Sequence, residues 1–158
     1  MSWWEKDDRY SKQTLTGDLE KLRSFYMDQG FMNFNINSSI VSISKDKKNI
    51  YIAVTIDEGD KFSIGKIKLK GDIPEKLSFA ELEKELTVTE GDVFNRSKIN
   101  ESTSNITKVM GNFGYAFANV SSVPTIDMEK QRVNFTFFAD KGKKIYVRRI
   151  NILGNEKT

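Results

Sequence analysis

One series of apolar residues and glycines occurs twice in this chain, and this internal repeat restricts the fold more than any other feature. In the first copy, four large side chains at helical spacing precede a glycine, an aromatic residue and two strand-like segments. The second copy follows 84 residues later and keeps three of the four apolar positions. The matching residues are Leu15 and Ile99, Leu19 and Thr103, Leu22 and Ile106, Tyr26 and Met110, and Gly30 and Gly114.

The repeat continues through the strand-like segments at an offset of 83 residues, which indicates a one-residue deletion in a loop. Alternating apolar residues at positions 50, 52, 54 and 56 return as Val133, Phe135, Phe137 and Ala139. The segment 62–71 returns at the same offset as residues 145–154. This regularity predicts tandem units of about 83 residues joined end to end.

Each complete unit is expected to run strand, helix, helix, strand, strand, which is an α+β arrangement. Residues 1–60 are expected to supply the second helix and last two strands of one unit. Residues 61–143 are expected to form a complete unit, and residues 144–158 the first strand of a following unit. The chain is thus expected to open partway through one copy.

The first unit carries several local signals. Residues 1–10 are predicted to be a loop, and residues 11–29 a helix that ends at Gly30, where a left-handed glycine fits. Gly17 costs that helix roughly 1 kcal/mol relative to alanine, which a close packing contact would explain. The apolar pattern changes phase between Ile40 and Val41, which predicts a β-bulge or a bend near residues 39–41. The strand at residues 50–56 is predicted to bury one face. If the array acts chiefly as a spacer, the connector 57–61 is expected to fix the angle between units.

In the second unit, Lys66, Lys68 and Lys70 are predicted to lie on the solvent side of an edge strand, where lysines discourage unwanted strand pairing. Ser78 and Glu81 fit a capping box at the start of the first helix. The second helix is expected at residues 96–113. The predicted buried face of the first helix consists of Phe79, Leu82 and Leu86.

Composition and motif content argue against catalysis. The chain has 25 Lys and Arg against 22 Asp and Glu, and it has no cysteine and no histidine. Thiolate and imidazole chemistry are therefore excluded, together with most transition-metal sites. Asp57, Glu58 and Asp60 lack the spacing of a calcium loop and are interpreted as a turn. We therefore expect that the chain is not an enzyme and that it binds no cofactor and no metal.

RNA binding is a weaker alternative. A strand-helix-helix-strand core with an isoelectric point of about 9.0 invites comparison with KH modules, which clamp RNA with a glycine-rich loop. The corresponding loop, residues 87–95, has one glycine and two acidic residues, Glu90 and Asp92. Charges of both signs are interleaved rather than gathered in one patch, so no nucleic-acid partner is expected.

Binding through a sheet edge is the remaining prediction. An unpaired edge strand can accept an extended segment of another protein by β-augmentation. Pro124 interrupts the candidate edge of the second unit, whereas the strand of the first unit has no proline. Val41 and Ile43 are the expected anchors, and the alternative is that these apolar side chains belong to the core. The candidate partner-binding residues are Ile40, Val41, Ser42, Ile43 and Ser44.

These motifs closely resemble the POTRA domains of outer-membrane protein assembly factors. The first unit resembles the third domain of such arrays, residues 62–142 the fourth, and residues 146–155 the start of the fifth. The motifs that carry the first resemblance are Gly17-Asp18-Leu19-Glu20, Leu22-Arg23-Ser24-Phe25-Tyr26, Gly30-Phe31, Phe34-Asn35-Ile36, Asp46-Lys47-Lys48 and Glu58-Gly59-Asp60. Those of the later domains are Gly91-Asp92-Val93-Phe94-Asn95, Gly114-Tyr115-Ala116, Tyr146-Val147-Arg148-Arg149-Ile150 and Gly154-Asn155.

The resemblance implies a mixed three-stranded sheet in the order 1-3-2 packed on two helices. It also implies a place on the periplasmic side of a Gram-negative outer membrane, in a full-length protein anchored through a barrel outside this chain. The implied partners are unfolded outer-membrane proteins and accessory lipoproteins, with BamB at the edge that contains Val41 and Ile43. The alternative is a semi-rigid spacer array of a related transporter such as TamA.

The truncated first unit also predicts self-association. Its sheet would have a vacant strand position beside residues 50–56, while residues 145–153 form a strand rich in Ile and Val without helices after it. We expect this segment either to be poorly ordered or to fill the vacancy in another molecule, as in a strand swap.

Overall fold

The computed structural model describes the backbone of residues 3–145 and the side chains of residues 12–145. Its first part contains the helix α1 (Trp3–Asp28) and the strands β1 (Asn35–Ile43) and β2 (Ile50–Asp57). Its second part contains the strand β3 (Ser63–Asp72), the helices α2 (Phe79–Glu83) and α3 (Arg96–Asn112), and the strands β4 (Asn119–Asp127) and β5 (Arg132–Asp140). The second part therefore has the element order that the repeat predicts.

The described strands form two sheets. β1 and β2 pair antiparallel as a two-stranded sheet, which we call the hairpin. The other sheet has the order β3-β5-β4, with β3 parallel and β4 antiparallel to the central β5. Numbered within the unit, this is the order 1-3-2, so the predicted α+β fold with a mixed three-stranded sheet is confirmed.

The main core lies between the three-stranded sheet and the helices of the second part. Alternate residues of β5 and one face of α3 are buried, as the strand and helix periods require. Ser102, a polar residue inside this core, donates to the Lys98 carbonyl at 2.9 Å and accepts from the Thr87 amide at 3.0 Å, so its burial leaves no unpaired group. The buried side chains of these two elements are Val133, Phe135, Phe137, Ala139, Ile99, Ser102, Ile106 and Met110.

β3 contains a bulge where it pairs with β5. The register advances from Ile64 to Ile67 on β3 while β5 advances by one residue fewer, so Gly65 and Lys66 together face Asn134. The Lys66 amide donates to the side-chain oxygen of Asn134 at 2.7 Å, which replaces the ladder bond lost at the extra residue. Beyond the bulge, residues 67 and 69 are half-buried and the lysines at 66, 68 and 70 are exposed, as predicted.

Side chains cap both helices of the second part. The Ser78 hydroxyl accepts from the Glu81 amide at 3.2 Å, so Ser78 is the N-cap of α2. Among the described contacts no bond returns from the Glu81 side chain to the Ser78 amide, so only half of the predicted capping box is present. The Asn95 side chain accepts from the Lys98 amide at 3.0 Å at the start of α3. α2 is only five residues long, so Leu82 alone is fully buried and Phe79 remains 39% exposed. The predicted burial of Phe79 is therefore wrong.

The first helix also differs from the prediction. α1 begins at Trp3, so the expected loop over residues 1–10 is wrong for its described residues. The helix does end as predicted, because Gly30 adopts a positive φ of 106° after its last turn. No described atom lies within 4 Å of a Cβ built on Gly17, so no packing contact accounts for this glycine.

The two parts of the chain meet at the end of α1. The Asp28 carboxylate accepts from the Ser97 amide at 2.9 Å and from the Ser97 hydroxyl at 2.7 Å, in the first turn of α3. Arg96 donates to the Ser24 hydroxyl at 2.8 Å. A carboxylate at a helix N-terminus satisfies an otherwise unpaired amide and interacts favourably with the helix dipole. We call this set of contacts the junction.

A backbone hydrogen bond beside the junction recurs one repeat later. The Phe62 amide donates to the Gly30 carbonyl at 2.8 Å, and the Ile145 amide donates to the Gly114 carbonyl at 2.9 Å. A Cβ on Gly30 would lie 2.8 Å from side-chain carbons of Lys61 and Val93, so this close approach requires glycine. The repeat thus preserves the way in which one unit leads into the next.

Replacing Gly17 with alanine is expected to increase the stability of α1 by about 1 kcal/mol, because the position is helical, exposed and free of steric contact. The gain should appear as increased helicity and a higher midpoint in thermal unfolding followed by far-UV circular dichroism. A loss of stability in this variant would show that Gly17 has a packing role.

Candidate functional site

The predicted docking residues lie at the distal end of the hairpin. Ile40, Val41, Ser42 and Ile43 belong to β1, whereas Ser44 lies in the turn that follows. Ile40 and Val41 are 63% and 42% exposed, so the alternative that they are core residues is not supported. Ile43 is half-buried.

The hydrogen-bond pattern of the hairpin identifies which backbone groups face the open edge of β1. Ser44 donates to the Asn49 carbonyl at 3.0 Å, so these two residues form a hydrogen-bonded pair. Hydrogen-bonded and non-hydrogen-bonded pairs alternate along an antiparallel ladder. The register therefore turns the N–H and C=O groups of Val41 and Ile43 away from β2, while those of Ser42 are directed at β2.

Ser44 has a structural role in the turn. Besides its bond to Asn49, its carbonyl accepts from the Lys47 amide at 2.9 Å and its hydroxyl donates to the Asp46 carboxylate at 2.5 Å. The hydroxyl also accepts from the Asn49 amide at 3.1 Å. Ser44 therefore stabilises the turn and offers no free amide to an incoming strand.

The same bonds affect the ionisation of Asp46. The hydrogen bond from the Ser44 hydroxyl, together with one from the Lys48 amide, lowers the pKa of Asp46 below its usual value. A lowered pKa in the folded state means that the ionised carboxylate stabilises the turn above the unfolded pKa. This contribution is lost as the pH falls through the folded-state pKa.

One face of the hairpin is almost entirely apolar. Cross-strand partners share a face, and a bulge between Ile36 and Ser38 brings Ile36 onto the face of Val41. The predicted bulge is thus present but lies closer to the start of β1 than residues 39–41, and Ile40 remains on the opposite face. We call the apolar face the hairpin strip, and it consists of Ile36, Val41, Ile43, Ile50, Ile52, Val54 and Ile56.

The hairpin strip is more exposed than its counterpart in the second part of the chain. Ile50 and Ile52 are 51% and 41% exposed, whereas the equivalent Val133 and Phe135 are 0% and 3% exposed. The prediction that residues 50–56 bury one face is therefore wrong for the described chain. β3, α2 and α3 cover β5, and the described first part has no counterpart of β3 and α2.

Within residues 3–145, the hairpin has a second open edge on the other side of β2. The alternation that exposes Val41 and Ile43 also turns the backbone groups of Ile50 and Ile52 away from β1. This is the vacancy that a swapped strand was predicted to fill. Apart from Ile145, the predicted swapping segment lies outside the described residues, so the strand swap stays a prediction.

The corresponding edge of the second part is weaker as a docking edge. Pro124 lies within β4 opposite Phe135, and proline has no amide to donate to an added strand. Within the described β1 there is no such interruption. This difference favours β1 over β4 for β-augmentation.

The site residue that the sequence did not reveal is Asp28. It lies 69 positions before its partner Ser97, and the pairing follows no helical or strand period. The predicted connector, residues 57–61, contains a local turn in which Gly59 donates to Asp57 at 3.2 Å. The described contacts between the two parts comprise the junction, the bond from Phe62 to Gly30, and the packing of Met27 and Met32 on the core of the second part.

Among the described residues, no group of three or more acidic side chains is arranged to hold a metal ion. None of the described helices is long and apolar enough to cross a membrane.

Comparison with known proteins identifies the repeat. The family model POTRA, described as surface antigen variable number repeat, matches residues 2–59 and 62–142. The chain is 34% identical over 157 residues to the outer membrane protein assembly factor BamA of Neisseria meningitidis serogroup B, covering 99% of this chain and 20% of that protein. It is 32% identical over 160 residues to BamA of Buchnera aphidicola, covering 99% of this chain and 25% of that protein.

A solved structure agrees with these relatives. The crystal structure of POTRA domains 3–5 of Haemophilus influenzae BamA matches with a TM-score of 0.75 and 27% identity, covering 85% of this chain and 52% of that one. The chain therefore spans about a fifth to a quarter of the length of the curated relatives that it matches.

Proposed function

The chain belongs to the POTRA family, and on that premise we propose that it is a non-enzymatic docking and scaffold module of outer-membrane protein assembly. Its relatives from Neisseria and Buchnera are named as assembly factors for outer-membrane proteins. By analogy, the module acts on the periplasmic side of a Gram-negative outer membrane as part of a longer protein.

The proposed docking mode is β-augmentation at the open edge of β1. The observation that carries this proposal is the outward direction of the Val41 and Ile43 backbone groups on a strand without proline. An added strand would pair with these groups and place its alternate side chains beside the hairpin strip, on the same face of the sheet. Main-chain pairing accepts many sequences, which suits a module that receives varied segments.

The proposed partners are extended segments of unfolded outer-membrane proteins and an accessory lipoprotein, BamB. Strands of a transmembrane β-barrel alternate apolar residues, which face the lipid, with polar residues, which face the barrel interior. Such a segment would match an edge whose two faces differ, because the hairpin strip is apolar and the opposite face is mixed, with Ser38 and Ser42 beside Ile40. The partner identity rests on the family and the docking mode on the geometry.

A spacer is the second candidate function. Its supporting observation is the junction, where Asp28 and Arg96 link α1 to α3 by hydrogen bonds of 2.7–2.9 Å. A junction of this kind would hold neighbouring domains at a set angle. Docking at β1 requires the Val41 amide, whereas the spacer function does not. A variant at this position therefore distinguishes the two functions.

Replacing Val41 with proline is expected to weaken partner binding roughly tenfold or more. The substitution removes an amide that does not bond to β2, so the hairpin should persist while an added strand loses a donor and meets the proline ring. Binding of an extended outer-membrane-protein peptide, and separately of BamB, is measured by isothermal titration calorimetry.

Val41→Ala is the matched control, because it keeps the amide and shortens the side chain. It should bind more tightly than Val41→Pro. Val41→Arg tests the strip separately by placing a charge on its apolar face. Unchanged affinity in a folded Val41→Pro variant would contradict docking at this edge and favour the spacer function.

A further inference from the structure

The first strand of the second part, β3, has an outer edge that is covered at one end and open at the other. Over its first residues, the loop before α3 occupies this edge: Ile64 donates to the Asp92 carbonyl at 2.7 Å and accepts from the Gly91 amide at 2.8 Å. Ser63 and Val93 form an antiparallel bridge at the same place. No described strand continues this pairing beyond the bulge.

The bulge determines which backbone groups the open part presents. Ile64 directs its N–H and C=O outward, as its bonds to the loop show. The extra residue at Gly65 and Lys66 shifts the alternation by one position. Beyond it, Ile67 and Leu69 therefore direct their backbone groups outward, while their side chains lie on the helix side of the sheet.

A groove with an apolar wall and an acidic side runs beside this open edge. Two cavities of about 230 and about 280 Å³ lie along it and share Ile67, Glu83 and Leu86. Leu69 and Phe79 complete the apolar wall of the first cavity. Phe79 is 39% exposed, which leaves the groove accessible from solvent. Glu83, which both cavities share, and Glu90 of the second cavity form the acidic side, and they disfavour an acidic side chain entering the groove.

The opposite face of the same strand is cationic. Lys66, Lys68 and Lys70 are exposed on it, and none of them forms an ion pair within residues 12–145. Lysines along an open edge disfavour most added strands. Acidic side chains directly across from them would convert this penalty into attraction, because opposite charges on neighbouring strands stabilise the pair.

We propose that the open edge of β3 binds an extended peptide segment in which apolar residues alternate with Asp or Glu. The apolar side chains occupy the groove beside Ile67 and Phe79, the acidic side chains lie across from the lysines, and the peptide backbone pairs with Ile67 and Leu69. The alternation of strand side chains between faces makes the two requirements compatible in one segment. This site is separate from the β1 edge and does not depend on it.

The test is a backbone NMR titration with a short peptide in which valine alternates with glutamate. Amide shifts are expected at residues 67–71 and beside the groove, with affinity that falls as salt is added. A peptide with lysine in place of glutamate is expected to bind roughly tenfold more weakly. Equal affinity for the two peptides, or shifts confined to residues 39–43, would overturn the proposal.

Variants test the two parts of the proposed binding separately, namely the charge pairing with the lysines and the apolar contacts in the groove. Lys68→Glu is expected to weaken binding of the glutamate peptide roughly threefold to tenfold and to improve binding of the lysine peptide. Phe79→Ala should weaken binding of both peptides. Lys108→Glu, which makes the same charge change at an exposed position of α3, is the matched control. Unchanged binding in folded Lys68→Glu protein would contradict the proposal.

The variant Val41→Pro separates this site from the proposed β1 edge. The amide shifts that the glutamate peptide causes at residues 67–71 should persist in this variant, because the two edges belong to different sheets. Loss of those shifts in Val41→Pro would assign the peptide to β1 and overturn the β3 site.

Discussion

Replacing Gly71 with alanine is expected to destabilise the second unit by about 3 kcal/mol or more. Gly71 has a φ of 114°, which L-residues rarely adopt, and a Cβ built there lies 2.0 Å from the Ala139 carbonyl oxygen and 2.8 Å from the Ala139 nitrogen. Both atoms belong to the backbone of the central strand β5, so neither can move without disturbing the parallel pairing of β3 and β5. Urea unfolding followed by far-UV circular dichroism measures the loss.

Gly91→Ala is the matched control for this prediction. Gly91 also has a positive φ, of 96°, but no described atom lies within 4 Å of a Cβ built on it. Gly91→Ala should therefore lose stability because alanine disfavours this positive φ, but not through steric overlap. The difference between the two variants isolates the overlap with Ala139, and equal losses of stability would show that β5 accommodates the added methyl group.

Replacing Asp28 with alanine is expected to loosen the junction. Both oxygens of this carboxylate are engaged, at 2.9 and 2.7 Å, by the amide and hydroxyl of Ser97 in the first turn of α3. Removing them leaves the amide unpaired and removes a negative charge from the helix N-terminus, at a cost of about 1–2 kcal/mol. The units should then reorient more independently, and residual dipolar couplings should require separate alignment tensors for the hairpin and the three-stranded sheet.

Asp28→Asn and Asp18→Ala serve as controls for the junction. The side-chain amide introduced by Asp28→Asn keeps one acceptor oxygen, so this variant should give an intermediate effect. Asp18 is exposed on the same helix, and its replacement should leave the alignment unchanged. A single tensor that fits both units in Asp28→Ala would show that the other contacts, such as Phe62 with Gly30, suffice.

The repeat predicted the architecture because its signals are local and periodic. Alternation in β5, the helical spacing in α3 and the glycine after α1 each depend on a few neighbouring residues, and the structure has them as expected. The phase change in β1 predicted a bulge for the same reason. The bulge lies outside the predicted residues because the prediction treated Ile40 as a core residue. Ile40 is in fact 63% exposed, and the sequence does not distinguish an exposed isoleucine from a buried one.

The remaining features depend on contacts between distant residues. The hairpin strip is exposed because the described first part has no counterpart of β3 and α2 to cover it. The alternation of apolar residues in a strand does not show whether such covering elements are present. Asp28 and Ser97 are both ordinary surface residue types, and their pairing over 69 positions leaves no local pattern. The outward direction of the Val41 and Ile43 backbone groups follows from the pairing register of the hairpin. The bond between Ser44 and Asn49 defines this register, and the sequence alone does not reveal it.

The measurement that tests docking at β1 most directly is a backbone NMR titration of the chain with an extended outer-membrane-protein peptide and, separately, with the accessory lipoprotein. We expect shifts concentrated at residues 40–43, largest at the outward-facing amides of Val41 and Ile43, and reduced shifts across this segment in Val41→Pro. An absence of shifts at these amides with either ligand, in folded protein, would contradict the docking function and leave the spacer function in its place.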